Sequence, residues 1–234
     1  KGLLYSKESP LSSGTIEMRY PTAKAEDILT NQNYISKGIV IDKFLQFLIV
    51  DTNINYDDIL TGDKNALLVA ARILGYGKDY EAEILCPNCL EYSDVKIDLT
   101  QLPEKNIPDT AKIIGPNVFE FTLPNSKRVI TFKILTHSDE SKLNMEIKEL
   151  KKRLKPDDVL PELSMRLKQV ILSVDGNSDL NYLNDFVDNQ LFQIVSDNCA
   201  YWFIESILPF HIAQFQFVYE EFLQIFAQSR FYIE

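Results

Sequence analysis

Apolar residues recur at helical spacing in the first third of the chain. A run of good helix formers between Thr22 and Asn31 predicts a short first helix. A second helix is predicted over 41–50, because four apolar residues there have the i, i+3, i+4, i+7 spacing of one helix face. A third is predicted over 66–74, with Asp63 as its N-cap. Because this third helix is apolar almost all round, we expect it to be central.

The middle of the chain changes to the two-residue period of half-buried strands. Alternation over 80–85 and again from Tyr92, on either side of a turn at 86–89, predicts a β-hairpin. Alternation over 118–123 and 129–134 predicts a second hairpin, which follows an irregular stretch. We expect the two hairpins to share one small antiparallel sheet.

Helical spacing returns from Ser138 and continues into the last third. A stripe of leucine and isoleucine predicts a helix that Pro156 ends, with two acids in its first turn. Further helices are predicted around 163–171 and over 191–208. These elements predict an α+β protein, mostly helical, with a small antiparallel sheet built from two β-hairpins.

Four segments divide the chain in this interpretation. An extended N-terminal arm occupies 1–20, and a helical segment follows at 21–78. A β-hairpin region with a Cys-x-x-Cys turn covers 79–135, and a helical C-terminal region with an aromatic-rich end covers 136–234. The 234 residues, 45% of them hydrophobic and 25% charged, are enough for one large domain or two small ones.

Charge and cysteine content exclude several classes of protein. The formal net charge of −10 disfavours nucleic-acid binding, which depends on Lys and Arg contacts to phosphates. Apolar runs are shorter than the roughly 20 residues of a membrane span, and residues 1–20 lack the layout of a secretory signal. Three cysteines cannot form a disulfide framework. We therefore expect a protein that stays in the cytosol where it is made, without membrane insertion.

The charge is unevenly distributed along the sequence. Six basic residues lie between Lys142 and Lys155, whereas Arg230 is the only one from Val174 to Glu234. One interpretation is a solvated helix face together with an acidic tail. The other is complementary docking of neighbouring subunits, because charge patterns across an interface fix its register.

The aromatic-rich end carries the candidate partner-binding residues. They are Phe210, Phe215, Phe217, Tyr219, Phe222, Phe226, Phe231 and Tyr232. One helix cannot bury so many rings on one side, and rings dominate the energetics of interfaces. A core and a docking surface are both consistent with this pattern.

Several short blocks occur in a fixed order within the first hundred residues. They are Leu11–Gly14 (LSSG), Pro21–Thr30 (PTAKAEDILT), Gly62–Leu68 (GDKNALL), Gly75–Gly77 (GYG) and Cys86–Cys89 (CPNC). In these blocks the chain resembles the baseplate hub proteins of T-even-like contractile-tailed bacteriophages. The resemblance is clear as far as Leu99 and thin beyond the second predicted hairpin.

The resemblance implies a structural or assembly subunit that acts through protein contacts. Its expected partners are other baseplate hub, tail tube or tape-measure proteins, and its expected location is the virion tail baseplate, assembled in the host cytoplasm. The alternative within this class is a transient assembly chaperone for hub or tape-measure proteins.

Cys86 and Cys89 are placed as one half of a zinc knuckle. A structural zinc site needs four ligands, and the sequence offers no second Cys pair. Three residues that could complete the shell, His137, Cys199 and His211, are not at knuckle spacing. We therefore predict no bound cofactor. A zinc-knuckle binding module remains the alternative from another class.

The sequence contains none of the common catalytic motifs. There is no Gly-x-Ser-x-Gly elbow, no phosphate-binding loop and no pair of metal-binding histidines. Adjacent acids such as Asp57 and Asp58 point apart on a helix or strand, which does not suit an acid/base pair. We predict that the chain is not an enzyme and has no catalytic residues.

Overall fold

Helices and antiparallel hairpins alternate along the part of the chain that the computed structural model describes. The described residues are 2–85, 91–102, 111–123, 126–155 and 158–195. They confirm an α+β fold.

Two compact units share these residues, and both are assembled from separated segments. The hairpin unit comprises Ile16–Thr52 and Gly62–Asn106, and the sheet unit comprises Lys1–Thr15, Asn53–Thr61 and Ile107–Glu234, as far as they are described. The division into four consecutive segments stays a prediction.

Four helices belong mainly to the hairpin unit: α1 (Ala23–Leu29), α2 (Gln32–Lys37), α3 (Val40–Leu48) and α4 (Thr61–Tyr76). Three of them were predicted and α2 was not. The Asn31 side chain accepts hydrogen bonds from the backbone N–H groups of Asn33 and Tyr34, and Gly38 ends α2 in the left-handed conformation. The residue expected to end α1 thus also begins the next helix.

Helix α4 differs from its prediction at its start and in its burial. It begins at Thr61, so Asp63 lies in the first turn instead of capping it. Leu67, Leu68 and Ala71 are buried, but the other apolar residues of the helix are half-buried or exposed. The expectation of a central helix was therefore wrong, because one face of α4 is buried and the rest is not.

Strands β1 (Asp79–Leu85) and β2 (Tyr92–Asp98) confirm the first hairpin and form a two-stranded sheet of their own. At its base, Tyr80 and Ala82 are buried. Towards the turn both strands become exposed, so the outer half of the hairpin is a solvent-facing ribbon.

The sheet unit contains a four-stranded antiparallel sheet in the order β3-β4-β5-β6. Its strands are β3 (Lys112–Gly115), β4 (Val118–Thr122), β5 (Val129–Phe132) and β6 (Ile171–Val174). The expectation of one sheet from two hairpins was wrong. The second hairpin, β4–β5, has β3 along one edge and β6 along the other, so neither edge pairs with β1 or β2.

Three helices accompany this sheet: α5 (His137–Arg153), α6 (Glu162–Val170) and α7 (Leu180–Val195). A capping box begins α5, in which Thr136 and Asp139 each accept a backbone hydrogen bond from the other. The helix predicted over 163–171 ends one residue early, because Ile171 begins β6.

The last helix is also displaced from its predicted position. The one expected over 191–208 already begins at Leu180, and residues 196–208 lie outside the described part of the chain.

A single apolar cluster joins the sheet to these helices. It includes Phe119 and Phe132 from the strands, Leu143 from α5, Leu167 from α6 and Phe186 from α7, all at most 2% exposed. Each helix therefore contributes an apolar stripe to the same core.

One charged residue is buried in the sheet unit, among the residues that the structure describes. Arg166 of α6 is 3% exposed and donates to Glu140 of α5 at 3.0 Å and to Glu162 at 3.3 Å. Glu140 also accepts a hydrogen bond from the Thr61 hydroxyl at 3.1 Å, and that hydroxyl lies 2.9 Å from the Leu135 carbonyl oxygen. This network ties α5 and α6 to Thr61, which belongs to the same unit.

Candidate functional site

The partner-binding candidates and the Cys-x-x-Cys pair that the sequence singled out lie outside the described part of the chain. They are Phe210, Phe215, Phe217, Tyr219, Phe222, Phe226, Phe231 and Tyr232, together with Cys86 and Cys89. Among the described residues, no group of three or more His, Cys, Asp or Glu side chains is arranged to hold a metal ion. The His137 ring packs edge-on against Tyr56, with ring centroids 4.7 Å apart.

A surface of the hairpin unit brings together residues that are far apart in sequence. Pro21 precedes α1, and Gly75 lies in the last turn of α4. A Cβ atom at position 75 would stand 3.2 Å from the Pro21 Cγ, closer than most real Cβ contacts. The missing side chain of Gly75 therefore lets the two segments approach each other.

A hydrogen bond between side chains joins the same two segments. The Tyr76 hydroxyl donates to the Glu26 Oε1 at 2.8 Å. Burial, this hydrogen bond and the charge of Glu26 raise the pKa of Tyr76 above its ordinary value, although the charge of Arg72 opposes the shift. Tyr76 therefore remains a neutral donor at physiological pH, with 41% of its surface exposed.

Arg72 holds the end of α4 in place. Its guanidinium carbon lies 5.1 Å from the centroid of the Tyr76 ring and 5.9 Å from that of Tyr80, within range of cation–π attraction. Its nitrogens also donate to the carbonyl oxygens of Gly77 and Asp79. Gly77 has a φ of +83° and donates its N–H to the Ile73 carbonyl, an arrangement typical of helix ends.

A second group of cations and a ring lies on another side of α1. Arg19 and Lys24 both approach the Phe47 ring, with distances of 5.4 and 5.6 Å to its centroid. Lys24 and Glu26 are two positions apart on a helix and therefore point in different directions. Helix α1 thus separates the Phe47 group from the Tyr76 group.

The Phe47 group (Arg19, Lys24 and Phe47) on one side of α1, the Arg72–Tyr76 pair on the other, and Tyr20, which precedes the helix, together make up what we call the α1 surface. Tyr20 is 70% exposed, and the surface offers rings and cations but no activated nucleophile. Tyrosine and arginine are enriched among the residues that carry the binding energy of protein interfaces. The arrangement therefore suits protein docking better than covalent chemistry.

Sequence reasoning did not identify this surface. The blocks that contain Tyr76 and Pro21 are visible in the sequence, but 54 positions separate Gly75 from Pro21. Only the packing of α4 beside the start of α1 brings them together.

Comparisons of the chain with protein-family models, with curated proteins and with solved structures found no match. Within the described residues, none of the helices is both long and apolar enough to cross a membrane.

Proposed function

We propose that this chain is a structural or assembly subunit of the baseplate hub of a contractile phage tail and acts through protein contacts. The main support is that two sequence blocks that are far apart in the chain are in contact in the fold. Two of the blocks that resemble hub proteins, Pro21–Thr30 and Gly75–Gly77, touch each other through the Pro21–Gly75 approach and the Glu26–Tyr76 hydrogen bond.

The chemistry of this contact supports a docking role. A contact that only stabilised the fold would be made by buried side chains, yet Tyr76 is 41% exposed, and Tyr20, next to Pro21 in sequence, is 70% exposed. Rings held in place by a cation lose little conformational entropy when a partner covers them. The proposed partners are other hub, tail tube or tape-measure proteins, and the proposed location is the tail baseplate.

We expect the protein to persist in finished particles. A structural subunit stays in the baseplate after assembly, whereas a transient assembly chaperone leaves it. The measurement is quantitative mass spectrometry of purified mature virions, with a known hub protein as the internal standard. Particles that lack the protein, while infected cells contain it, would favour the chaperone function.

The α1 surface provides a sharper test. Replacing Tyr20 by alanine should reduce incorporation into particles strongly, because truncating an exposed ring on which a partner packs costs roughly 2 kcal/mol or more of binding at a hot spot. The melting temperature of the isolated protein should stay unchanged, since Tyr20 is mostly exposed. Both quantities are measured on the same variant.

Leu180→Ala is the matched control, because Leu180 is also a large apolar residue, 73% exposed, and lies outside the α1 surface. We expect it to be incorporated normally. If Tyr20→Ala is incorporated as well as Leu180→Ala, the α1 surface is not the docking site. The C-terminal rings from Phe210 to Tyr232 would then be the next candidates.

A further inference from the structure

Helix α5 exposes a stripe of side chains on the side opposite its buried residues. Leu143 and Ile147 are buried, whereas Met145, Lys148 and Lys152 are exposed. Residues at i, i+3 and i+7 lie on the same face of a helix. We call Met145, Lys148 and Lys152 the lysine stripe.

The charge of this stripe is poorly compensated. Residues 142–155 include six basic side chains and two acids. Within the described part of the chain, Lys148 forms no ion pair, and Lys152 pairs with Glu149 at 2.6 Å. Both side chains of that pair are more than half exposed, and exposed pairs contribute about 0–1 kcal/mol. Lys152 is therefore able to exchange Glu149 for a better-placed carboxylate.

The outer half of the β1–β2 hairpin has the opposite charge. Glu83 and Asp94 stand directly opposite each other on the two strands, and both are exposed. Like charges in this position destabilise a sheet. Nearer the base, Lys96 lies 3.5 Å from Glu81, but neither Glu83 nor Asp94 has an ion-pair partner among the described residues.

Tyr92 extends this acidic surface with an apolar ring. It lies two positions from Asp94 on the same strand, hence on the same face, and is 66% exposed. We call Glu83, Asp94 and Tyr92 the acidic ribbon end.

The two surfaces match in size as well as in charge. Lys148 and Lys152 are one helical turn apart, about 6 Å between their Cβ atoms. Cross-strand neighbours such as Glu83 and Asp94 are about 5 Å apart. Two lysines on a helix can therefore reach both carboxylates at once. The Met145 thioether can at the same time contact an aromatic ring, which thioethers favour.

We propose that the lysine stripe of one copy of this chain docks on the acidic ribbon end of a second copy. A chain with a formal net charge of −10 repels its own copies, and a local region of opposite sign offsets this repulsion. The stripe supplies that region, and the ribbon end supplies carboxylates whose mutual repulsion the contact relieves. The contact either occurs twice in a two-fold dimer or repeats head-to-tail in a ring or filament, and the mass of the assembly distinguishes these arrangements.

Charge reversal with mixing tests this contact on the purified full chain. One variant carries Lys148→Glu with Lys152→Glu, and the other carries Glu83→Lys with Asp94→Lys.

Wild type should associate at low salt as the protein concentration rises. It should return to monomer at roughly 1 M salt, where the Debye length is about 3 Å. Each variant alone should associate with itself at least about tenfold more weakly than wild type does. An equimolar mixture should associate again, because each variant then meets the opposite charge on the other. Light scattering and sedimentation velocity measure the mass.

A control variant separates local from global charge effects. Lys7→Glu with Lys37→Glu changes the net charge as much as the stripe variant does, at exposed positions elsewhere. We expect it to associate like wild type. A monomeric wild type at low salt, a control that fails like the stripe variant, or a mixture that stays monomeric would each overturn the proposal. Binding of a short DNA duplex through the stripe, without self-association, would overturn it in favour of a polyanion site. Incorporation into phage particles is a separate measurement, so this contact and the proposed function can fail independently.

Discussion

Replacing Arg166 with alanine should lower the free energy of unfolding by about 3–5 kcal/mol, the usual effect of removing one partner of a buried ion pair. The side chain of Glu140 is 15% exposed and would keep only the Thr61 hydroxyl as a partner among the contacts described above. A carboxylate left in this environment loses its compensating charge without regaining water. Urea denaturation followed by circular dichroism measures the change.

Lys168→Ala is the matched control for Arg166. Lys168 lies on the same helix and pairs with Asp188 at 2.8 Å, but both side chains of this pair are substantially exposed. We expect a loss below about 1 kcal/mol there. Combining Arg166→Met with Glu140→Leu should restore much of the stability, because neither charge then remains buried. Equal losses for Arg166→Ala and Lys168→Ala would show that the Arg166 network is not desolvated.

Replacing Phe132 with alanine should also be severe, with an expected loss of about 3–5 kcal/mol. Phe132 stands opposite Phe119 on the neighbouring strand, and their rings stack with centroids 5.2 Å apart. Both rings are at most 1% exposed, so the truncation leaves a cavity at the centre of the four-stranded sheet. The same denaturation experiment measures the loss.

Two further variants test the cavity explanation. Phe132→Leu keeps most of the volume, and we expect it to cost less than about 1.5 kcal/mol. Ile113→Ala lies on the edge strand of the same sheet, where Ile113 is 42% exposed, and should cost less than about 1 kcal/mol. A loss for Phe132→Ala no larger than that for Ile113→Ala would contradict a close-packed core.

The sequence predicted the elements whose signal is local. The apolar spacing in α3 and the alternation in both hairpins appear as helix and strands at the expected places. The two acids predicted for the first turn of α5 are found there, and one of them, Asp139, takes part in the capping box. Such patterns are visible because one face of each element is buried and the other is not.

Elements that depend on distant partners were missed. Strand β3 has three exposed positions and no clean alternation, and it is ordered by pairing with β4. Strand β6 follows directly on α6, so its apolar residues continued the helical pattern. The α1 surface could not be predicted for the same reason, since α1 and the end of α4 are separated by more than thirty residues.

The interleaving of the two units has a consequence for the order of events during synthesis. The hairpin unit ends at Asn106, so all of its residues emerge from the ribosome before the strands of the sheet unit. The segment Lys1–Thr15, which includes the buried Leu11, cannot pack into the sheet unit until the later segments of that unit have been synthesised. Domains fold as units as they are made, and contacts between distant segments form slowly. Leu11 and its neighbours therefore stay exposed until the later segments of the sheet unit have been made, and this stage offers apolar residues to a chaperone.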